Sequence, residues 1–378
     1  MSETAYVAKD MIAPRAAPVR TTGVLGFVRT RLLNSPTNIL LTVAGILLLW
    51  LTVLPAARFL LVDAVWHGSD RNACLPATAG GQVGACWPFI HAKLSQFVYG
   101  FYPEPERWRV DLTFLIGAVL LIPLLVPRLP AKIVNAWLFF LAFPLVAFVL
   151  LCGGYGGLAI VPTRLWGGML VTLVVAITGI VASMPIGIAL ALARRSSIPL
   201  LRFGAIAFIE FWRGVPLITV LFFATYMLPL FLPGNFSVDG LARVLIGVAL
   251  FAGAYNAEVI RGGLLAIPRG QAEAASALGL SWWKTTWLVV LPQALRHVIP
   301  GLVNSFIALL KDTSLVSIVA IFDLLGQLRA AFADPAWSSP TTLFTGFAFT
   351  GIIYFVLCFG MSRYSLFVEH RLNAHRRN

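Results

Sequence analysis

Eight runs of apolar residues constrain this chain more than any single motif. They fall at about 38–62, 111–127, 133–152, 164–193, 213–232, 241–260, 299–321 and 343–366. About 20 apolar residues in a helix cross the roughly 30 Å hydrocarbon core. Inside it only helices or closed barrels can satisfy their own backbone polar groups. With 59% hydrophobic and only 11% charged residues, the chain has too little polar surface for a water-soluble globule, where about 25% charged is usual. The expected fold is all-α and polytopic, with about eight transmembrane helices.

A net charge of +13 raises the question of nucleic acid, and the distribution of the charges answers it. Five basic residues precede the first run, and Arg128, Lys132, Arg194, Arg195, Arg202, Arg213, Arg261, Arg269, Lys284, Arg296, Arg363, Arg371, Arg376 and Arg377 follow on the same side of an alternating topology. The other side carries Arg71, Lys93, Arg107, Arg109 and Arg329. Basic residues accumulate on the cytoplasmic side of membrane proteins, so the pattern predicts cytoplasmic termini and an external 63–110 loop. The basic excess reads as topology, with no nucleic-acid partner. Residues 1–36 hold Glu3, Asp10 and no apolar signal core. They are expected to be a flexible cytoplasmic tail, with the first run retained as an anchor.

Two parts follow the tail. Residues 37–160 hold three spans and the 63–110 loop, whose Phe97–Pro103 segment suits a membrane interface. Residues 164–370 hold five spans. Gly153–Gly157 between them reads as a hinge or tight turn. In the fourth span Gly179, Ser183 and Gly187 put small residues on one face, for close helix packing or for a hinge at Pro185. Cys152 and Cys358 lie in apolar runs as packing residues. Cys74 and Cys86 share the outer loop, where an oxidising compartment permits a disulfide; unpaired thiols are the alternative. No histidine or second cysteine pair stands at zinc spacing, so no metal site is expected.

The polar island Gly270–Pro292 interrupts these runs. Pro268 can open a helix, the Ala-rich 271–278 stretch can continue it, and Gly279 can end it in the left-handed conformation. Ser281 can cap a second helix, with Pro292 breaking or kinking the chain before the next span. Glu273-Ala274-Ala275, then Gly279, then Val289, Leu291 and Pro292 at these spacings resemble the cytoplasmic EAA loop of binding-protein-dependent ABC importers. The resemblance implies a type I importer permease core over 164–370, with a coupling loop at 261–298 that receives force from a separate ATPase. It marks Glu273, Ala274, Ala275, Gly279, Leu291 and Pro292 as coupling residues.

The flanks Glu210-Phe211-Trp212-Arg213-Gly214, Glu258-Val259-Ile260-Arg261-Gly262-Gly263 and Lys311-Asp312-Thr313-Ser314 resemble the polar amino-acid uptake branch of that family. The long N-terminal part resembles the M-type subunits of general L-amino-acid systems. The likeness implies a bacterial inner-membrane permease for L-amino acids, paired with a similar, non-identical permease. It also implies ATPase subunits that hold the ATP and magnesium, a periplasmic binding protein, and no cofactor on this chain. Consistently, no phosphate-binding Gly-rich loop or nucleophile motif occurs, so the chain is not expected to be an enzyme.

Glu210 with Arg213, and Glu258 with Arg261, are three apart and can pair on one helix face. Lys311 and Asp312 fall near the middle of the 299–321 run, where ionisable groups often mark a substrate route; with Thr313 and Ser314 they could meet the two charges of a zwitterion. A structural network or a gate are alternatives for the same residues. An ion-coupled secondary transporter, a permease for another small polar solute, and a membrane scaffold are the competing functions.

Overall fold

The computed structural model describes residues 23–76, 81–126, 128–231, 233 and 238–373. Among them seven helices are long and apolar enough to span a membrane, or up to eight if one bent pair counts as a span. In chain order the helices are α1 (Pro36–Val62), α2 (Trp87–Tyr99), α3 (Glu104–Leu125), α4 (Lys132–Cys152), α5 (Gly168–Arg194), α6 (Pro199–Gly214) and α7 (Leu217–Phe231). They continue with α8 (Gly240–Ala266), α9 (Arg269–Ala277), α10 (Trp282–Val319), α11 (Leu324–Ala331) and α12 (Thr342–Asn373). Of the expected tail, residues 1–22 lie outside the described residues, while Gly23–Phe27 and Val28–Leu32 are helical.

Helices α5 and α8 form the axis of the bundle, and the small-residue face of α5 is what brings them together. A Cβ added at Gly187 would lie 2.9 Å from the Asn256 Cβ, and one at Gly179 would lie 3.0 Å from a Val248 methyl. Asn256 donates to Ser183 Oγ at 2.9 Å across the contact. That face is therefore packed, and α5 runs through Pro185 without interruption. None of the α1 residues is buried by the rest of the described chain, which leaves its apolar surface for lipid or for another subunit.

One expected connection and one expected break are corrected. The run placed at 213–232 corresponds to α7, but the stretch before it, left between runs, is the further helix α6, which meets α7 at 101°. Val215 is extended because a residue before proline disfavours the helical region, and Pro216 then starts α7 at φ −61°, ψ 142°. The run placed at 299–321 begins much earlier, because Pro292 does not break the helix. A proline ring clashes with the carbonyl four residues back; here that residue, Leu288, lies in a wide π-helical stretch, Thr285–Val290, which moves the carbonyl aside.

The 63–110 loop is an ordered cap. Cys74 and Cys86 are disulfide-bonded, with 5.7 Å between their Cα atoms. They pack with Phe89, Ile90 and Phe97 of α2 against Leu324, Leu328 and Ala331 of α11. Lys93 donates to Asp334 at 2.5 Å, and Gln96 to Gln327 at 3.0 Å. The Lys93 hydrogen bond holds the Asp334 carboxyl below its usual range. The Phe97–Pro103 segment leads directly into the span α3, and part of it folds into the protein. Phe97 and Tyr102 are each 1% exposed, because α2 ends at Gly100 with φ +67° against Gly167 and turns the chain inward, where the Tyr102 hydroxyl donates to the Leu151 carbonyl. Gly153, Gly154, Gly156 and Gly157 all have positive φ. Buried Arg109, paired with Glu106, donates to the Ala159 carbonyl at 2.8 Å, so this is a clamped turn.

Candidate functional site

Three groups of sequence-predicted residues occupy distinct places in the bundle. The first is α9 and its exit, at the end opposite the disulfide. Pro268 takes the N-cap position with extended backbone. At the other end Leu280 N–H bonds the Ala275 carbonyl at 3.1 Å and Gly279 N–H bonds the Ser276 carbonyl at 2.9 Å. This is a Schellman ending, which requires a left-handed residue, and Gly279 supplies it at φ +77°. Ser281 occupies the next N-cap position, although its side chain makes no capping bond. Ala275 is buried against the start of α10, whereas Glu273 and Ala274 face outward. Gln293 donates to Gln271 at 3.1 Å, tying α9 to the stretch that follows. Leu291 is buried and Pro292 exposed. The result is a short, rigidly terminated helix that presents one carboxylate and small side chains outward.

The second group joins three helix ends beside α9. Arg261 meets Glu258 at 2.9 Å, but Arg213 and Glu210 are 3.9 Å apart. Between them stands Arg194, a residue sequence spacing did not single out. Its guanidinium reaches Glu210 at 3.1 Å and Glu258 at 2.5 Å, tying α5 to α6 and α8. Arg213 also lies over the Tyr255 ring at 5.7 Å. Only its position as the last residue of an apolar run could have flagged Arg194. Arg194→Gln is expected to remove about 1–2 kcal/mol of stability, most of it from the bond to the shielded Glu258, since the exposed Glu210 contact is worth little. Lysine should recover much of it, because both contacts run from a single nitrogen, Nη1, and an ammonium also carries several donors. Thermal unfolding of the detergent-solubilised protein checks both.

The third group surrounds Lys311. Lys311 and Asp312 lie not at mid-span but where α10 tightens into a 3₁₀ stretch, Thr313–Val319. Lys311 is exposed and Asp312 half-buried, and neither side chain takes part in a hydrogen bond or ion pair among the described residues. Thr313 is buried; its hydroxyl donates to the Leu310 carbonyl at 2.8 Å and lies 3.2 Å from the Tyr354 hydroxyl. Tyr354 in turn donates to Asp323 at 2.9 Å. Asp323 is fully buried and caps α11 through the Gly326 N–H. Burial pushes its carboxyl up, against the lowering effect of those two donors. Sequence reasoning missed Asp323 and Tyr354. An Asp three residues before Gly326 was the capping signal available, and a lone tyrosine in an apolar run carries none.

Comparison with known proteins adds an independent line. Residues 183–374 match the family described as binding-protein-dependent transport system inner membrane component. The chain is 48% identical over 365 residues to the inner membrane amino-acid ABC transporter permease protein YhdY of Escherichia coli (strain K12), covering 96% of this chain and 97% of that one. It is 39% identical over 440 residues to the glutamate/glutamine/aspartate/asparagine transport system permease protein BztC of Rhodobacter capsulatus, with all of both chains covered. A crystal structure of an amino acid ABC transporter with histidines shares 29% identity over 54% of this chain and 92% of its own, at a TM-score of 0.47. Membership in this family implies ATPase and binding-protein partners. The chain belongs to the binding-protein-dependent ABC transporter permeases, as a multi-pass inner-membrane subunit that carries no catalysis of its own.

Proposed function

We propose that this chain forms part of the passage for L-amino acids in a type I importer, together with a similar but non-identical permease. Residues 164–370 are the permease core and 37–160 its extension. The observation that carries the reading is the outward-facing Glu273 and Ala274 on a helix whose exit is fixed by the left-handed Gly279. Such a helix suits a groove on a separate ATPase, where ATP and magnesium would bind. Glu273, Ala274, Ala275, Gly279, Leu291 and Pro292 then transmit nucleotide-driven closure to α10. The full-length likeness to YhdY and BztC, whose names specify amino acids, supports the substrate class. Lys311, Asp312, Thr313 and Ser314 line the substrate route, to which a binding protein delivers its cargo from the periplasm. Co-purification of an ATPase together with vanadate-sensitive amino-acid uptake in proteoliposomes tests the reading. Uptake driven by an ion gradient without ATP would replace it with a secondary transporter.

The orientation follows the charge asymmetry: both termini are cytoplasmic and the disulfide-bonded cap is periplasmic. Activity-reporter fusions after Gly84 and at Asn378 are expected to report opposite compartments. Signals from one compartment in both fusions would break this topology.

A further inference from the structure

A cleft of about 250 Å³ opens beside Lys311, between the end of α10 and the first half of α12. Lys311, Ser314, Thr350 and Tyr354 form its polar side, with Leu325 and Phe347 opposite. That is below the roughly 300–1,000 Å³ of pockets for drug-sized molecules, so it suits a small solute or one end of it. Thr350, like Thr225, departs from the bonding pattern of the other helical threonines here. Helical threonines commonly give their hydroxyl to the carbonyl four residues back, as Thr30, Thr52, Thr113, Thr172 and Thr345 all do here. Thr350 is 3% exposed, yet its hydroxyl has no hydrogen-bond partner among the described residues. A buried polar group left without a partner is unfavourable and calls for one that arrives from elsewhere.

The charges around the cleft define that partner. Lys311 brings an ammonium with no ion pair among the described residues. The Tyr354 proton is committed to Asp323, which is fully buried behind it and also accepts the Gly326 N–H. Asp312 does not line the cleft. The cleft thus offers a cation and a free hydroxyl with no accessible carboxylate, an arrangement that accepts an anion and rejects an ammonium group.

We propose that the cleft is the subsite for the substrate carboxylate, with Thr350 donating to one oxygen while Lys311 balances the charge. The proposal rests on the reading of Lys311 as part of the substrate route and adds Thr350 as a residue that sets affinity. It also separates the two ends of the zwitterion, since the ammonium must find its partner outside this cleft.

Thr350→Val is the discriminating substitution because valine has nearly the same shape and removes only the hydroxyl. The hydroxyl serves no partner in the fold, so the substrate-free complex should unfold at the wild-type temperature or above it. In the reconstituted full transporter with saturating binding protein, the concentration of L-glutamine for half-maximal uptake should rise about tenfold, the loss of one hydrogen bond to a charged group, with the maximal rate little changed. Thr350→Ser should restore wild-type concentration dependence. L-Glutamine should raise the unfolding temperature of the wild-type complex, whereas 4-aminobutanamide, which lacks the carboxylate, should not. Wild-type concentration dependence in Thr350→Val, lower stability in that variant, or equal protection by 4-aminobutanamide would each overturn the subsite. Lys311→Met separates this from the broader reading. If it abolishes uptake while Thr350→Val is normal, only the subsite falls; if Lys311→Met transports normally, the Lys311 route falls with it.

Discussion

Lys311→Met is expected to abolish amino-acid uptake while the complex is recovered in full yield and unfolds at or above the wild-type temperature. The reasoning turns on what Lys311 lacks. No hydrogen bond or ion pair holds its ammonium among the described residues, although it lies within the span Trp282–Val319. A lysine at the centre of a transmembrane helix raises the insertion free energy by about 2.5–3.5 kcal/mol, and one nearer the end by less. Methionine keeps most of the side-chain length and removes that charge, so the fold loses no hydrogen bond or ion pair among the described residues. A structural ion pair would behave oppositely, because deleting one partner leaves the other charge stranded. Purified yield, unfolding temperature and substrate-stimulated ATPase activity, taken together, decide the matter. Loss of yield would return Lys311 to a structural role, and normal stimulation would remove it from the mechanism.

Gly279→Leu is expected to cut uptake by five- to thirtyfold and to flatten substrate stimulation of the partner ATPase, with the permease still inserted. Space is not the issue, since a Cβ at Gly279 would meet nothing within 4 Å. The backbone is: φ is +77°, and a residue with a Cβ loses roughly 1–2 kcal/mol in the left-handed region. At the end of a nine-residue helix that is enough to unravel the Schellman ending in much of the population and to misdirect Glu273. Gly279→Asn is the informative companion, because asparagine tolerates this conformation better and should retain more uptake. Equal, wild-type uptake in both variants would show that the helix exit does not carry force.

The sequence exposed some of this architecture because the signals are local. The spans follow from the length of apolar runs, and α9 follows from Pro268, the alanines and Gly279, all within one short stretch. Its errors have the same origin. Hydropathy averages over side chains and is blind to backbone direction, so α6, interrupted by Arg202, Glu210 and Arg213, fell between runs, and nothing announced its 101° bend into α7 across Gly214-Val215-Pro216. It overrated Pro292 for the reverse reason, since nothing in the residue pattern announces the wide turn that accommodates the ring. Spacing rules can propose Glu258 with Arg261 because they are one helical turn apart. They cannot propose Arg194, whose two partners lie 16 and 64 residues away. Thr350 was invisible for a subtler reason: its significance is a missing bond, and only packed coordinates reveal that a threonine has declined the usual one.

The cap has a consequence for how the protein is made. The backbone N–H of Cys86 is held by the Thr345 hydroxyl, a contact that spans 259 residues. At roughly 5–20 residues per second of synthesis, that separation corresponds to a wait of roughly 13–50 s. During this interval α2 has been translated but α11 and α12, the surfaces that will receive Phe89 and Phe97, have not. The cysteines can therefore be oxidised before the cap has docked. A ribosome that stalls before the final span leaves an unsheltered aromatic face on the nascent chain, a ready mark for membrane quality control. The last helix acts as a checkpoint for the first hundred residues, so truncations near the C-terminus should be cleared rather than accumulate as partly working permeases.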